Sequence, residues 1–467
     1  MRRRAGIFIA VIVPLAGAGL ALAALVAARP DGAGLAASAY FVAPGGDDSN
    51  PGSEALPWRT VARAMQALAP GVEVVFRQGT WNERAVVGRS GETAAPVALS
   101  VYPGETATLD GTGLAIDEDQ GLVEVRGVSH VVVRGLRLVH SSGSGVFVDR
   151  ASDVTVQAIS TDDTVSSGVG VWASEDVLIA DCEVVLACND GGQECITVAG
   201  TDGFEVRGNH VHHGGSGTNG GEGIDAKDGA ANGSIHHNLV HDLVRLGIYV
   251  DAWDKHTHDI DVHSNVVHAT GNDGFTLASE MGGLLERVRV FNNVAWGNRY
   301  VGVSLSRNGD AAAHPMREVW VVNNTVVGNG SGEWGGGITV DPAEVAGVVI
   351  RNNIVSQNLS FQIVLDPGAP RHEVAVDHNL VDGFRGYDGE VQGEYAVAGD
   401  PLFADRLGHD FHLLAGSPAI DRGAAPGAPA LDLEGRVRPA GAAVDIGAYE
   451  FSPAGLGRLV RRRLLRR

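Results

Sequence analysis

The chain has 467 residues, a formal net charge of −21 and 44% hydrophobic content. That acidity excludes a broad phosphate-binding surface, so nucleic acid is not expected as a partner. Sixty-five glycines with few aromatics describe a foldable chain, and three cysteines allow at most one disulfide.

Residues 1–39 read as a signal peptide or an N-terminal membrane anchor. Arg2, Arg3 and Arg4 precede an apolar run from Ile7 to Ala28, and Ala37-Ser38-Ala39 offers a small-residue cleavage site. The run is long enough to span a bilayer, but Pro14, Gly17 and Gly19 interrupt it. Either way the leading arginines place the body outside the cytoplasm, extracellular or on the cell surface. Residues 40–130 form an N-terminal cap and the first coils, with a short helix expected over Thr60–Leu68.

From 131 to 385 the chain repeats. Segments such as VVVRGLRLV from Val131, FEVRGNHVH from Phe204, IDVHSNVVH from Ile260 and VVIRNNIVS from Val348 align on one column. That column reads Leu136, Ile159, Cys182, Asn209, Asn238, Asn265, Asn293, Asn324, Asn353 and Asn379, at spacings of 23 to 31 residues. This is the period of a solenoid, in which each turn packs only on its neighbours. Amides stacked at the strand spacing of about 4.8 Å bond up the stack and to the turn backbone. Cys182, in the apolar part of the column, reads as core. A second short strand follows a glycine in each coil, as in GIDAKD (Gly223), GIYVDAWD (Gly247), GFTLASE (Gly274) and GVSLSR (Gly302). Alternation sends the first and third residues after the glycine inward and the second and fourth outward. Cys188 and Cys195 flank the loop NDGGQE and are close enough in sequence to pair. Residues 386–453 read as a closing segment and 454–467 as a basic tail, with six arginines in Arg458–Arg467. The tail suits anionic lipid or wall polymers, or stays disordered. A monomer is expected.

Only two basic residues are lysines, Lys227 and Lys255, and both lie in one acidic stretch. Arginine holds its proton in a protein, whereas lysine can be tuned into a base. The outward column reads Asp225 and Lys227, then Tyr249 and Asp251, then Thr276 and Ala278, then Ser304 and Ser306. Just beyond lie Asp228, Trp253, Asp254, Lys255, His256, Glu280 and Arg307. With coils about 4.8 Å apart, Asp225 and Asp251 are expected about 5–7 Å from each other. That range suits two carboxyls on one sugar, or a bridged calcium ion. The alternative is a solvated acidic ladder in which lysine relieves repulsion. Histidines crowd the same region, from His210 to His268. They are read as ladder and turn residues ahead of a zinc site.

The ends carry a resemblance. YFVAPGGDDSNPGSEALPWRTVARAMQALAPGVEVVFRQGTWNE (Tyr40–Glu83) resembles the opening of secreted bacterial parallel β-helix proteins, among them polysaccharide lyases of family 9. GDPLFAD (Gly399–Asp405), HLLAGSPAIDRG (His412–Gly423) and VDIGAYEF (Val444–Phe451) look like the closing segment of the same group. The resemblance implies a right-handed parallel β-helix, here of about ten coils, and a monomeric carbohydrate-active protein. It also implies a lysine or arginine base and Ca2+. GEGIDAK (Gly221–Lys227) is similar to the calcium-contributing coil, with Glu222 where an aspartate is expected. Arg245, Leu246 and Tyr249 then stand where that family clusters aspartates, and Thr276 where its lysine base is expected.

Three classes of function follow. A polysaccharide lyase would use Lys227 or Lys255 as base, with Arg307 nearby and Glu222, Asp225, Asp251 and Asp254 around the cation. A glycoside hydrolase would draw its acid and its base or nucleophile from Asp225, Asp251, Asp254 and Glu280. Tyr249, Trp253, His256 and Glu280 would contact sugar. A surface glycan-binding or adhesive β-helix would use the same patch without catalysis. The lyase is preferred by a small margin over the hydrolase.

Overall fold

The computed structural model describes residues 38–216 and 220–452. The expected leader, except Ser38 and Ala39, and the basic tail 454–467, with Pro453 before it, lie outside the described residues. Among the described residues no helix is long and apolar enough to cross a membrane.

Each coil contributes a strand to each of three parallel sheets. The first has 15 strands and runs from Ser38–Val42 to Val374–Asp377. The second has 13 strands, from Gly79–Trp81 to Val397–Ala398. The third has 11 strands, from Ala85–Val87 to Phe361–Leu365, one per coil. The chain is therefore an all-β parallel solenoid of about eleven turns. Its interior is filled by the inward half of every strand, such as Ile224 and Ala226, then Ile248 and Val250, all fully buried or within 1% of it. Burial of such continuous apolar columns is the main stabilising term, at roughly 25 cal/mol per Å².

The amide column exists and has a geometric cause. At the corner between the first and second sheets a residue with φ between +52° and +65° precedes each ladder asparagine: Gly208, His237, Ser264, Asn292, Asn323, Asn352 and His378. Glycine, asparagine and histidine tolerate that left-handed turn. The next residue, Asn209 through Asn379, then stitches the corners together. Asn265 Oδ1 accepts from the Asn238 backbone N–H and Nδ2, each at 3.0 Å, and Asn265 passes the pattern on to Asn293. Its Nδ2 also donates to the Ile235 carbonyl at 2.9 Å. At the head of the stack the Cys182 N–H donates to Asn209 at 2.9 Å. Burial pushes the Cys182 thiol up to about 12, which suits a core residue. A second, shorter amide stack, Asn298, Asn329 and Asn358, marks another corner and ends on Gln362.

Two expectations need correction. The helix spans only Val61–Met65, capped by Thr60 Oγ1, which accepts from the Arg63 N–H at 3.1 Å. Cys188 and Cys195 are buried free thiols, not a disulfide, and burial raises the Cys188 thiol well above its ordinary value. The C-terminal segment does more than end the stack. It folds back along the outer face of the second sheet. There Phe403, Phe411, Leu413 and Ile446 share a small core with Val294, Val327, Ile354 and Leu380.

Candidate active site on the third sheet

The strands Ile224–Lys227, Ile248–Asp251 and Phe275–Ala278 lie side by side in the third sheet. The register pairs Asp225 with Tyr249 and Thr276, and Lys227 with Asp251 and Ala278. Asp225 and Asp251 are thus diagonal neighbours, not level ones. Both are only 2% exposed, so this outward face is shielded from water.

Lys227 is the hub. Its Nζ donates to Glu194 Oε1 at 2.5 Å and stands 4.0 Å from Asp225 Oδ2. Burial alone would lower its pKa, but the Glu194 and Asp225 carboxylates outweigh that and hold it above its usual value. Asp228, expected beside Lys227, instead pairs with Lys255 at 2.9 Å. Glu194 also accepts from Thr197 Oγ1 at 2.8 Å. Glu222 pairs with Arg245 Nε at 2.9 Å.

The carboxyls are crowded. Burial, then Glu194, pushes Asp225 well above the usual carboxylate range, and its Oδ1 has no hydrogen-bond partner. Burial, then the Glu194 charge, pushes Glu222 up to about 7. Burial likewise raises Asp251 to about 7, with Glu280 adding to the effect against hydrogen bonds from the Trp253 and Glu280 backbone. The Glu280 N–H reaches Asp251 Oδ1 at 3.2 Å, and the Tyr249 hydroxyl donates to Glu280 Oε1, so Glu280 and Asp251 are adjacent across two coils. Tyr249 itself packs against Leu246 and Ala278.

Other expected site residues fall elsewhere. Lys255 is exposed on the turn after Asp251. Trp253 and Asp254 are exposed on the same turn, and Asp254 is not among the main electrostatic neighbours of Glu222, Asp225 or Asp251. His256 opens the first-sheet strand His256–His263 and contacts Glu286 at 3.1 Å. Arg307 follows the strand Val303–Leu305, the next strand of the sheet after Phe275–Ala278, and pairs with Asp366 at 3.2 Å.

Two acidic residues were missed. Glu194 and Asp273 stand two positions before their third-sheet strands, as Glu222 does, because Ile196, Ile224, Ile248 and Phe275 are in register. That column reads Glu194, Glu222, Leu246, Asp273. Aligning it across coils would have found both. Burial raises Asp273 to about 7.

The donor set is a poor match for calcium, which takes six to eight oxygens. Glu194 and Glu222 are engaged by side-chain cations, Asp254 is exposed on the turn beyond the strand, and Arg245 and Tyr249 stand where further carboxylates are expected. The orphan Asp225 Oδ1 is the one donor left waiting for a cation or a proton.

Comparison with known proteins agrees with this architecture. A protein of Bacillus subtilis (strain 168) described as "Uncharacterized protein YwoF" is 26% identical over 439 residues, covering 81% of this chain and 91% of its own. The crystal structure of pectate lyase Pel9A superposes with a TM-score of 0.54 at 17% identity, over 89% of this chain and 96% of that one. The complex of XylC with xylose gives a TM-score of 0.52 at 12% identity, over 78% and 87%. At those identities the likeness is one of fold. Residues 40–353 match the family described as Pel9A-like, right handed beta helix region, and the chain belongs to that pectate-lyase-like family.

Proposed function

We propose that this protein is a secreted, carbohydrate-active β-helix that cleaves a polysaccharide lying across the outer face of the third sheet. Asp251 is the proton donor. The observation that carries this is the adjacent pair of Asp251 and Glu280, one carboxyl pushed up to about 7 by burial and the other oriented by the Tyr249 hydroxyl. A carboxyl with that pKa keeps its proton in a good share of molecules at neutral pH and can give it to a glycosidic oxygen. Glu280 then acts as the base toward water or as the nucleophile, which makes the reaction a glycoside hydrolysis. Lys227 and Arg245 supply the counter-charge that lets several carboxyls share the site.

β-Elimination is the second reading. It is supported by the family match and by the paired retention of lysines. Its weakness is Lys227 itself, which the flanking carboxylates keep charged, whereas a lyase base must be neutral part of the time. Calcium belongs to this reading, since an ion displacing Lys227 from Glu194 and Asp225 would both free the amine and neutralise a uronate.

The deciding experiment incubates the purified protein with pectic, alginate and neutral polysaccharides and follows reducing ends and ultraviolet absorbance together. New reducing ends without unsaturated uronates are expected. Unsaturated products would establish the lyase, and retained glycan without cleavage would leave a binding protein.

A further inference from the structure

The outer face of the second sheet carries a cluster that the proposed reaction does not use. The strands Glu183–Val185, His210–His212 and Leu239–His241 are consecutive there, with Glu183 level with His210, and Val185 level with His212 and His241. Val184, Val211 and Val240 point into the core, so Glu183, His210, His212 and His241 all point out of the coil. One ligand atom each from Glu183, His210 and His212 lies within 4.8 Å of the others. Glu183 Oε1 stands 4.0 Å from His210 Nδ1 and 3.9 Å from His212 Nε2.

The hydrogen bonds behind these atoms decide which lone pairs are free. His241 Nδ1 is 2.7 Å from Asp242 Oδ2, so its proton sits on Nδ1 and its Nε2 is an acceptor. That Nε2 is 2.8 Å from His210 Nε2, which must then carry the proton of its own ring. The Nδ1 of His210 is left with a lone pair toward Glu183. His212 Nδ1 is 2.7 Å from His213 Nδ1, and His212 Nε2 is buried with no hydrogen-bond partner; with His212 Nδ1–H donating to His213, that Nε2 carries the lone pair.

Stacking alone does not account for this arrangement. His212, His241, His268 and Trp296 do form an outward aromatic stack, with centroids 5.2, 4.8 and 4.2 Å apart. A ladder of rings has no need of a carboxylate facing two free imidazole nitrogens, nor of a His–His–Asp relay that fixes a tautomer. Both are features of metal sites, in which a ligating imidazole passes its second proton to a carboxylate or another acceptor.

We propose that Glu183, His210 and His212 bind a divalent transition metal, Zn2+ by ligand type, through Oε1, Nδ1 and Nε2. His241 and Asp242 act as positioning residues. Tetrahedral zinc with bonds of about 2.0–2.1 Å sets its ligand atoms about 3.4 Å apart. The two Glu183–histidine separations, 4.0 and 3.9 Å, stand about 0.6 Å or less above that value. Two nitrogens and one oxygen leave the fourth position to water. The ligands come from adjacent coils, so the ion would clamp one coil to the next.

The test titrates the full, metal-stripped chain with Co2+, whose tetrahedral complexes absorb in the visible, and then displaces it with Zn2+. One Co2+ per chain, displaced by Zn2+, is expected, together with a higher melting temperature in Zn2+ than in EDTA. The decisive variant is Glu183→Gln, because Glu183 is exposed and its replacement leaves the coil intact. It should weaken Co2+ binding at least about tenfold, and His241→Ala should weaken it by about 10–100-fold through loss of orientation. No visible spectrum at saturating Co2+ overturns the proposal. So does a Glu183→Gln chain that binds as tightly as the parent, which would place the ion at another group of histidines. None of these outcomes depends on carbohydrate cleavage.

Discussion

Replacing Asp251 with asparagine should stabilise the protein above neutral pH while abolishing its reaction. The carboxyl has an ordinary pKa of 3.8 and is pushed up to about 7 by burial and by Glu280. Its folded-state value lies above the unfolded one. Its contribution is therefore fully present below about pH 4, is lost as pH rises to about 7, and stays lost above that. A rise of about 3 pH units at about 1.4 kcal/mol each makes the cost of ionising Asp251 about 4 kcal/mol. Asparagine keeps one oxygen for the Glu280 N–H and turns an amide toward the neighbouring carboxylates, so it never pays that cost. The expected gain at pH 8 is about 2–4 kcal/mol, with little difference at pH 4. Urea melts of both proteins at pH 4, 6 and 8 measure it, and the same samples report cleavage. The reasoning fails if the two midpoints shift in parallel with pH, or if the variant is the less stable protein at pH 8. An Asp251→Asn variant that still cleaves at the parent rate would remove the proton donor from the proposed mechanism.

Lys227→Met should destabilise by about 3–5 kcal/mol, because Glu194 and Asp225 are left buried without their counter-charge; thermal melts check it. Lys227→Arg keeps that charge, so hydrolysis should survive within about tenfold, whereas a lysine base would lose about 10²–10⁴ in turnover. Asn265→Leu in the middle of the amide stack should cost about 2–4 kcal/mol in a chemical melt. Asn379→Leu should cost less, because its amide nitrogen bonds only the Ile350 carbonyl and no further asparagine; equal and negligible losses would contradict a cooperative stack. EDTA or added Ca2+ should leave cleavage unchanged, since side-chain cations hold the counter-charge; loss of activity in EDTA restored by Ca2+ would favour the elimination reading.

The solenoid was legible from the chain alone because its cause is periodic. An asparagine every 26 to 31 residues and a strand after each glycine are one-dimensional signals, and stacking coils makes the sequence repeat the contact map. The same periodicity put Asp225, Lys227, Tyr249 and Asp251 on one outward face. What it left undecided is which charges pair. Lys227 bonds to Glu194, which is 33 residues away and follows an irregular loop, while Asp228 turns to Lys255. Exposure was not legible either. An outward column is a surface in an isolated coil, but in the folded chain Asp225 and Asp251 are 2% exposed, and that burial raises both carboxyls. His212 makes the same point on the second sheet. Its strand position follows from the repeat, whereas its free nitrogen facing Glu183 depends on side-chain bonds to His213 that only the folded structure reveals. Backbone register is set by local alternation and stacking, which sequence encodes directly. Charge pairing and dielectric environment are set by loops and by neighbours across coils, and those exist only once the chain has folded.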